Sequence, residues 1–310
     1  MEIVREIIDR KDELECVVVQ QANGTTLIDA GIDATGGIEA GRLCAEACLG
    51  GLGAVRVSRV HIGDMTMPSV VVGTDQPMLA ALGSQHAGWE MRIGDYSAVC
   101  SGPARALASI EKELFVKLNY RDDSKAGIIC LETGETPPDS VTQSIADTCG
   151  ISTTDLYCIL APITSIVGSV LTSARVVEAG VYRLMTLGFN PAGIRTGHGV
   201  APIALAARDS RVAAGITNDC VIYGGRAFFF VKSDESDKLE ALVERASSSA
   251  SSEYGQPLYR LLASVGFDSH RLDPALFGPA EITVNDITSG RTLKAGHVNP
   301  VVLRQSLAIG

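Results

Sequence analysis

Arg175 and Glu178 are the residues of this sequence whose types and spacing best suit chemistry. Three positions apart on a predicted helix, they put a guanidinium and a carboxylate on one face and within reach of each other. A carboxylate so placed can take a proton from water. A guanidinium beside it can hold it in position and hydrogen-bond an oxygen as that oxygen gains charge. The same spacing also fits an exposed surface pair worth only ~0.3–0.5 kcal/mol. The surroundings favour chemistry: Ser173, Ala174, Ala179 and Gly180 are small, as is the preceding turn PITSIVGS, so a ligand has room against the helix. A helix start near Ser165 offers backbone N–H groups to an anion, although many such starts bind only water.

Two further segments invite a ligand. GSQHAGWE, 83–90, joins a flexible backbone to His86 and to Trp89, the only tryptophan. A lone His with no Cys or carboxylate nearby is more often structural than a general base, and Trp89 reads as core. The backbone N–H groups of this loop are the better candidates, because a Gly-flanked turn can aim them at a developing oxygen. GDYSAVCSGPARAL, 94–107, reads as a loop leading into a helix, with Gly102 allowing close approach and Arg105 available for a phosphate or carboxylate.

Cys44 and Cys48 share a helix face, but a zinc site needs two more ligands, usually as a second tight cluster, and the sequence has none. Cys100 has no paired His to make it a thiolate. GGIEAG, 36–41, has the wrong spacing for a dinucleotide fingerprint, and no Walker motif is present.

Elements that must position these residues follow from periodicity. Ile3, Val4, Ile7 and Ile8 predict an opening amphipathic helix, and CVVVQQA and TTLIDAG predict a hairpin around Asn23-Gly24. A helix from Ile38 to Leu49, a second hairpin of AVRVSRVHI with MPSVVVG, and a helix opened by Asp75 and Pro77 come next. WEMRI, AGIICLE and DLYCILAP read as strands and DSVTQSIADTCG as a helix. One long helix is expected from Ser165 to Leu187, then hairpins of NDCVIY with RAFFFVK and of AEITVND with RTLKAGHV. SSSASSE, 247–253, reads as a helix end running into a mobile loop. Hairpins interleaved with helices predict an α/β fold, in α+β layers, with mixed or antiparallel sheets.

At 310 residues, one large or two moderate domains are expected; the boundary is placed near Asp122-Asp123, giving 1–123 and 124–310, with either domain open to being discontinuous. Hydrophobic residues at 46% against 20% charged argue for a packed core and against disorder. A net charge of −10 and the lack of any Lys/Arg run disfavour nucleic acid. The longest apolar stretch, Tyr157–Leu171, is interrupted and too short to span a bilayer, and the N-terminus lacks a secretory signal, so a cytoplasmic protein is expected. Eight scattered cysteines read as reduced core residues.

Taken together and in order, NGTTLIDAG, GGIEAG, GDYSAVCSGPARA, APITSIVGS, SARVVEAGVY and TNDCVIYGG resemble the methenyltetrahydromethanopterin cyclohydrolase family, from the first helix to the last strands. The resemblance implies two α/β domains with the active site between them, a homotrimer, and no metal or redox cofactor. It implies reversible hydrolysis of the methenyl derivative of tetrahydromethanopterin to the formyl derivative, with Arg175 and Glu178 essential and Gln85, His86 and Ala87 as the loop beside the reacting carbon. Candidate substrate contacts are Ser101, Gly102, Arg105, Ser165 and Asn218. SVLTSAR, APITSIV and residues 195–200 depart mildly from the family pattern, which bears on carrier variant more than on reaction class. A neighbouring Arg⁺ lowers a carboxylate's pKa and burial raises it, and the sequence leaves open which prevails at Glu178. Two other readings stay open: a pterin-binding protein without catalysis, and a different hydrolase centred on His86 or Cys100.

Overall fold

The computed structural model describes residues 1–233 and 236–308. In chain order the strands are β1 (Val17–Gln20), β2 (Thr26–Asp29), β3 (Ala54–Ile62), β4 (Met65–Thr74), β5 (Trp89–Ile93), β6 (Tyr96–Ser101), β7 (Gly127–Glu132), β8 (Leu156–Leu160), β9 (Ile194–Pro202), β10 (Arg226–Val231), β11 (Glu281–Asp286) and β12 (Thr292–Gly296). The α-helices are α1 (Glu2–Asp9), α2 (Ile38–Cys48), α3 (Ala104–Ala108), α4 (Lys112–Leu118), α5 (Asp139–Cys149), α6 (Ile166–Ser173), α7 (Val176–Thr186), α8 (Ser210–Ile222), α9 (Ser236–Glu244), α10 (Leu258–Ser264) and α11 (Pro300–Leu307). They form two compact units, both discontinuous in sequence: Met1–Gly53 with Leu79–Leu171, and Ala54–Met78 with Thr172–Gly310. Asp122 and Asp123, where the sequence suggested a boundary, lie inside the first unit, in the loop before β7. The β3–β4 hairpin pairs through β4 with β9, so its strand contacts take it into the second unit.

The first unit carries a six-stranded mixed sheet ordered β1-β2-β8-β7-β6-β5. Its centre is parallel, β2 with β8 and β8 with β7, and the flanking pairs are antiparallel. GIICLE of β7 is buried at every position but the last because both sheet faces are covered. Ile28, Cys130 and Ile159 pack with Val4, Ile7 and Leu43 of α1 and α2. Leu27, Ile129, Leu131 and Cys158 pack with Val141 and Ile145 of α5 and with Trp89, the expected core tryptophan.

The second unit carries another six-stranded mixed sheet, β12-β11-β10-β9-β4-β3, in which only the β10–β11 pair is parallel. A core of Ile62, Met65, Cys220, Tyr223, Leu258 and Leu303 joins the β3–β4 hairpin to α8, α10 and α11. All eight cysteines are buried and unbridged, as small core residues.

Three expectations are corrected. NDCVIY is not a strand but the end of α8, where Cys220 and Ile222 face the core; Gly224 and Gly225 then turn the chain into β10. YSAVCS of the presumed binding loop is β6, paired with both β5 and β7. SSSASSE is no mobile loop: Ser247, Ser248 and Ser251 are buried, and Ser248 Oγ donates to the Ile222 carbonyl at 2.6 Å. Small hydroxyl side chains suit a buried irregular segment because they can bond neighbouring backbone.

One buried acid makes the second unit pH-sensitive. Asp219 on α8 is fully buried and accepts the Leu258 N–H at 3.1 Å and the Ser306 hydroxyl at 2.5 Å, tying α8 to α10 and α11. Burial pushes its carboxyl up to about 7, against the opposing pull of those two donors. The unfolded chain releases this proton at pH ~4, so the contribution of Asp219 to stability is fully present below that pH and is lost as pH rises towards 7. Asp219→Asn keeps the shape of the protonated acid. Thermal melts are expected to show the variant more stable than wild type at pH 8, by roughly 5 °C or more, with the gap closing near pH 5. Parallel pH profiles for both proteins would contradict this.

Candidate active site

Arg175 and Glu178 form an ion pair in the structure, built where the expected single helix breaks. α6 ends at Ser173, whose Oγ donates to the Pro202 carbonyl at 2.8 Å, and α7 starts afresh with Arg175 as its N-terminal boundary residue. α7 then lies close on the sheet: a Cβ at Gly199 would meet Val176 Cγ1 at 2.7 Å, and one at Gly197 would meet Val177 Cγ1 at 2.8 Å. Those two glycines let Val176 and Val177 seat the first turn. The face turned away from the sheet is left to Arg175, Ala179 and Tyr182, with Glu178 beside them.

The break gives Glu178 a position that a helix interior lacks. It stands in the first turn of α7, where the helix dipole favours negative charge. Its side chain is 5% exposed, that of Arg175 32%. Arg175 Nη2 and Nε both donate to Glu178 Oε2, at 3.1 and 3.3 Å, so a single carboxylate oxygen receives the guanidinium edge. One turn on, burial and then the Glu178 charge push the Tyr182 phenol up. Tyr182 was not singled out from sequence, though its i+4 spacing from Glu178 is the signal that could have found it. Asn218 is half-buried on α8 and spends an amide N–H on the Ala214 carbonyl of its own helix, at 2.9 Å.

In the first unit Gln85, His86, Ala87, Gly102 and Arg105 gather about the end of a π-helix. Residues Met78–Gln85 take i→i+5 bonding in place of the α-helix that Asp75 and Pro77 suggested, and the His86 N–H closes the last turn on the Ala81 carbonyl at 2.8 Å. That bond uses the His86 N–H, so the loop's donors fall to Ala87 and Gly88. Gln85 is buried, and His86 and Ala87 are half-buried. Gly102, at φ +106°, donates to the Ser84 carbonyl at 2.8 Å; this left-handed backbone and the Ile128 carbonyl 3.0 Å from any added Cβ restrict the position to glycine. Ser101 ends β6 with its Oγ 3.1 Å from Cys48 Sγ.

Arg105, a candidate substrate contact, has a fully buried guanidinium bonded to the Leu82 and Ser84 carbonyls and to Glu111. Ser165 caps α6: its Oγ accepts the Gly168 N–H at 2.9 Å, so the hydroxyl itself occupies part of the helix start. The sequence reading missed Asp29, which shapes the adjoining loop: its two carboxylate oxygens accept the N–H groups of Gly31, Ile32, Asp33 and Ala34 at 2.7–3.0 Å. Burial works to raise this carboxyl, and the four donors outweigh it and hold it low. The loop's Cβ-free Gly31 lies against Ser165.

The family model described as "Cyclohydrolase (MCH)" matches residues 1–307. The chain belongs to this cyclohydrolase family. It is 40% identical over 308 residues to a protein of Methanococcus vannielii named methenyltetrahydromethanopterin cyclohydrolase, covering 98% of this chain and 95% of that one. Proteins of the same name from Methanocaldococcus jannaschii and Methanothermobacter marburgensis are 38% and 39% identical, each covering 99% of this chain and 96% or 97% of their own.

Within a cyclohydrolase, Cys100 makes a poor alternative nucleophile. It is fully buried, and burial pushes its thiol up to about 12, so almost no thiolate exists near neutral pH. Among the described residues, no group of three His, Cys, Asp or Glu side chains is placed to hold a metal ion. No described helix is long and apolar enough to cross a membrane.

Proposed function

We propose that this cyclohydrolase acts on the methenyl derivative of tetrahydromethanopterin, adding water to give the 5-formyl derivative, with Arg175 and Glu178 as its chemical residues. The observation that carries the reading is the Arg175–Glu178 pair, a buried carboxylate held by a partly exposed guanidinium, in a chain whose relatives bear that activity in their names. Those full-length relatives favour a catalyst over a protein that only binds the carrier.

The methenyl bridge is an amidinium cation and already electrophilic, so water needs orientation and proton removal and no Lewis acid. Glu178 accepts the proton of the attacking water. Arg175 fixes the carboxylate through Oε2 and hydrogen-bonds the oxygen as it becomes a formyl carbonyl. Addition of the water oxygen with loss of that proton gives a neutral carbinolamine; the ring C–N bond then breaks, the hydroxyl proton passing to the departing nitrogen as the oxygen becomes the formyl carbonyl, so one of the water's two protons is released overall. The loop of Gln85, His86 and Ala87 is proposed to meet the reacting oxygen. Ser101, Gly102, Ser165 and Asn218 are proposed to line the carrier site, whereas Arg105 leaves that set.

A homotrimeric, cytoplasmic enzyme of one-carbon metabolism fits this reading. The test is direct: purified protein is mixed with the methenyl carrier and loss of its near-ultraviolet absorption is followed. Turnover is expected. Inertness towards every methanopterin-type carrier would overturn the assignment.

A further inference from the structure

Arg105 and Glu111 sit against the segment Leu82–Gly88 and meet it on either side of the 85–87 loop. Arg105 Nη1 donates to the Leu82 carbonyl at 3.2 Å and to the Ser84 carbonyl at 3.0 Å. Nε, at 3.1 Å, and Nη2 both donate to Glu111 Oε1. Four of the five guanidinium donors are thereby directed, and the Phe115 ring stacks 5.9 Å from its carbon. Glu111 closes the arrangement at the loop's far end, since a Cβ added at Gly88 would fall 2.9 Å from its Cδ and 2.9 Å from the His86 ring.

The two carbonyls are among those a π-helix end cannot satisfy alone, because the chain leaves the helix at His86. The Ser84 carbonyl also accepts the Gly102 N–H, so both its lone pairs are used. A peptide unit is planar and trans, so fixing the Leu82 and Ser84 carbonyls fixes the direction of the peptide planes that lead into Gln85–Ala87.

As a contribution to stability, the pair is a poor choice. A fully buried guanidinium faces a carboxylate whose other oxygen, Oε2, is buried without a hydrogen-bond partner among the described residues. Apolar side chains of the same volume would often do as well or better for the fold. What they could not supply is a set of directional donors aimed at two chosen carbonyls.

We propose that Arg105 and Glu111 are a positioning pair, holding Leu82–Gly88 in the backbone conformation that presents the loop to the reacting oxygen. This rests on the role proposed above for that loop. Neither residue touches the carrier; both act through the backbone.

Arg105→Lys keeps a charge but has one compact donor group where two carbonyls and a carboxylate must be reached. Glu111→Gln keeps an oxygen for Arg105, loses the charge, and is the variant to use if Arg105→Lys fails to fold. For each, kcat is measured with the methenyl carrier, carrier binding is titrated for affinity and stoichiometry, and amide hydrogen exchange is followed peptide by peptide. Expected are a kcat lower by about 10- to 100-fold, carrier affinity within about threefold at full stoichiometry, and faster exchange confined to peptides covering 82–88. Guanidinium ion at millimolar concentration is expected to restore part of the kcat of Arg105→Ala. A kcat within twofold of wild type would overturn the proposal. So would a kcat and a binding stoichiometry that fall together, which marks a strut for the fold alone. Wild-type inertness would sink the reading of the reaction instead, and unchanged exchange at 82–88 would then still refute the pair's hold on the loop.

Discussion

Glu178→Gln is expected to bind the methenyl carrier with near wild-type affinity and to lose about 10³-fold in kcat, the size of effect a positioned general base supplies. The substitution removes the proton acceptor and little else. Gln is isosteric with Glu, and its carbonyl oxygen can still receive the Nη2 and Nε donors that now meet Oε2 at 3.1 and 3.3 Å. Loss of the negative charge does not strand a buried cation, because Arg175 is 32% exposed and water can solvate it. The fold around the pair is set by Val176 and Val177 against Gly197 and Gly199, which the substitution leaves alone. Stopped-flow turnover with equilibrium titration of the carrier separates the two quantities. A variant within tenfold of wild-type kcat would take Glu178 out of the chemistry and leave the pair as an anchor for α7.

How far the site was legible in sequence depends on which interactions were local. The Arg175–Glu178 contact was readable because i,i+3 spacing brings side chains together whether the helix is continuous or begins at Arg175. The break itself was not. It depends on a hydrogen bond from Ser173 to Pro202 and on close packing onto β9, both with partners beyond the helical window. Arg105 is the opposite case. Beside Gly-Pro, an arginine reads as an anion ligand, but its partners are Leu82, Ser84 and Glu111, and only the fold reveals that its donors are committed. Strands with a clear period or a fully buried run, β7 and β8 among them, were plain, because a sheet covered on both faces needs continuous apolar residues. NDCVIY misled for the same reason: a short apolar run bounded by glycines fits a buried helix end as well as a strand. The order of the motifs along the chain carried the family assignment, and the match over residues 1–307 bears it out.

Arg175→Lys should cost about 10²-fold in kcat, even though it preserves the charge. In the structure two guanidinium nitrogens converge on Oε2, so a planar group holds the carboxylate in a fixed direction. A guanidinium carries its five N–H donors in fixed directions on one plane, as an oxygen turning into a formyl carbonyl requires. A lysine ammonium reaches the carboxylate as a point charge on a flexible stem, so it can neutralise Glu178 or meet the substrate oxygen, with neither direction fixed. The substrate is a cation, so a second positive charge near it is unfavourable in the ground state and useful only where negative charge develops on oxygen. Carrier affinity in Arg175→Lys is therefore expected to stay within about threefold of wild type while kcat falls, the mark of an interaction made mainly in the transition state. Equal kcat in the two proteins would show that charge alone matters at this position. A loss confined to KM would assign Arg175 to carrier binding, with Glu178 acting without it.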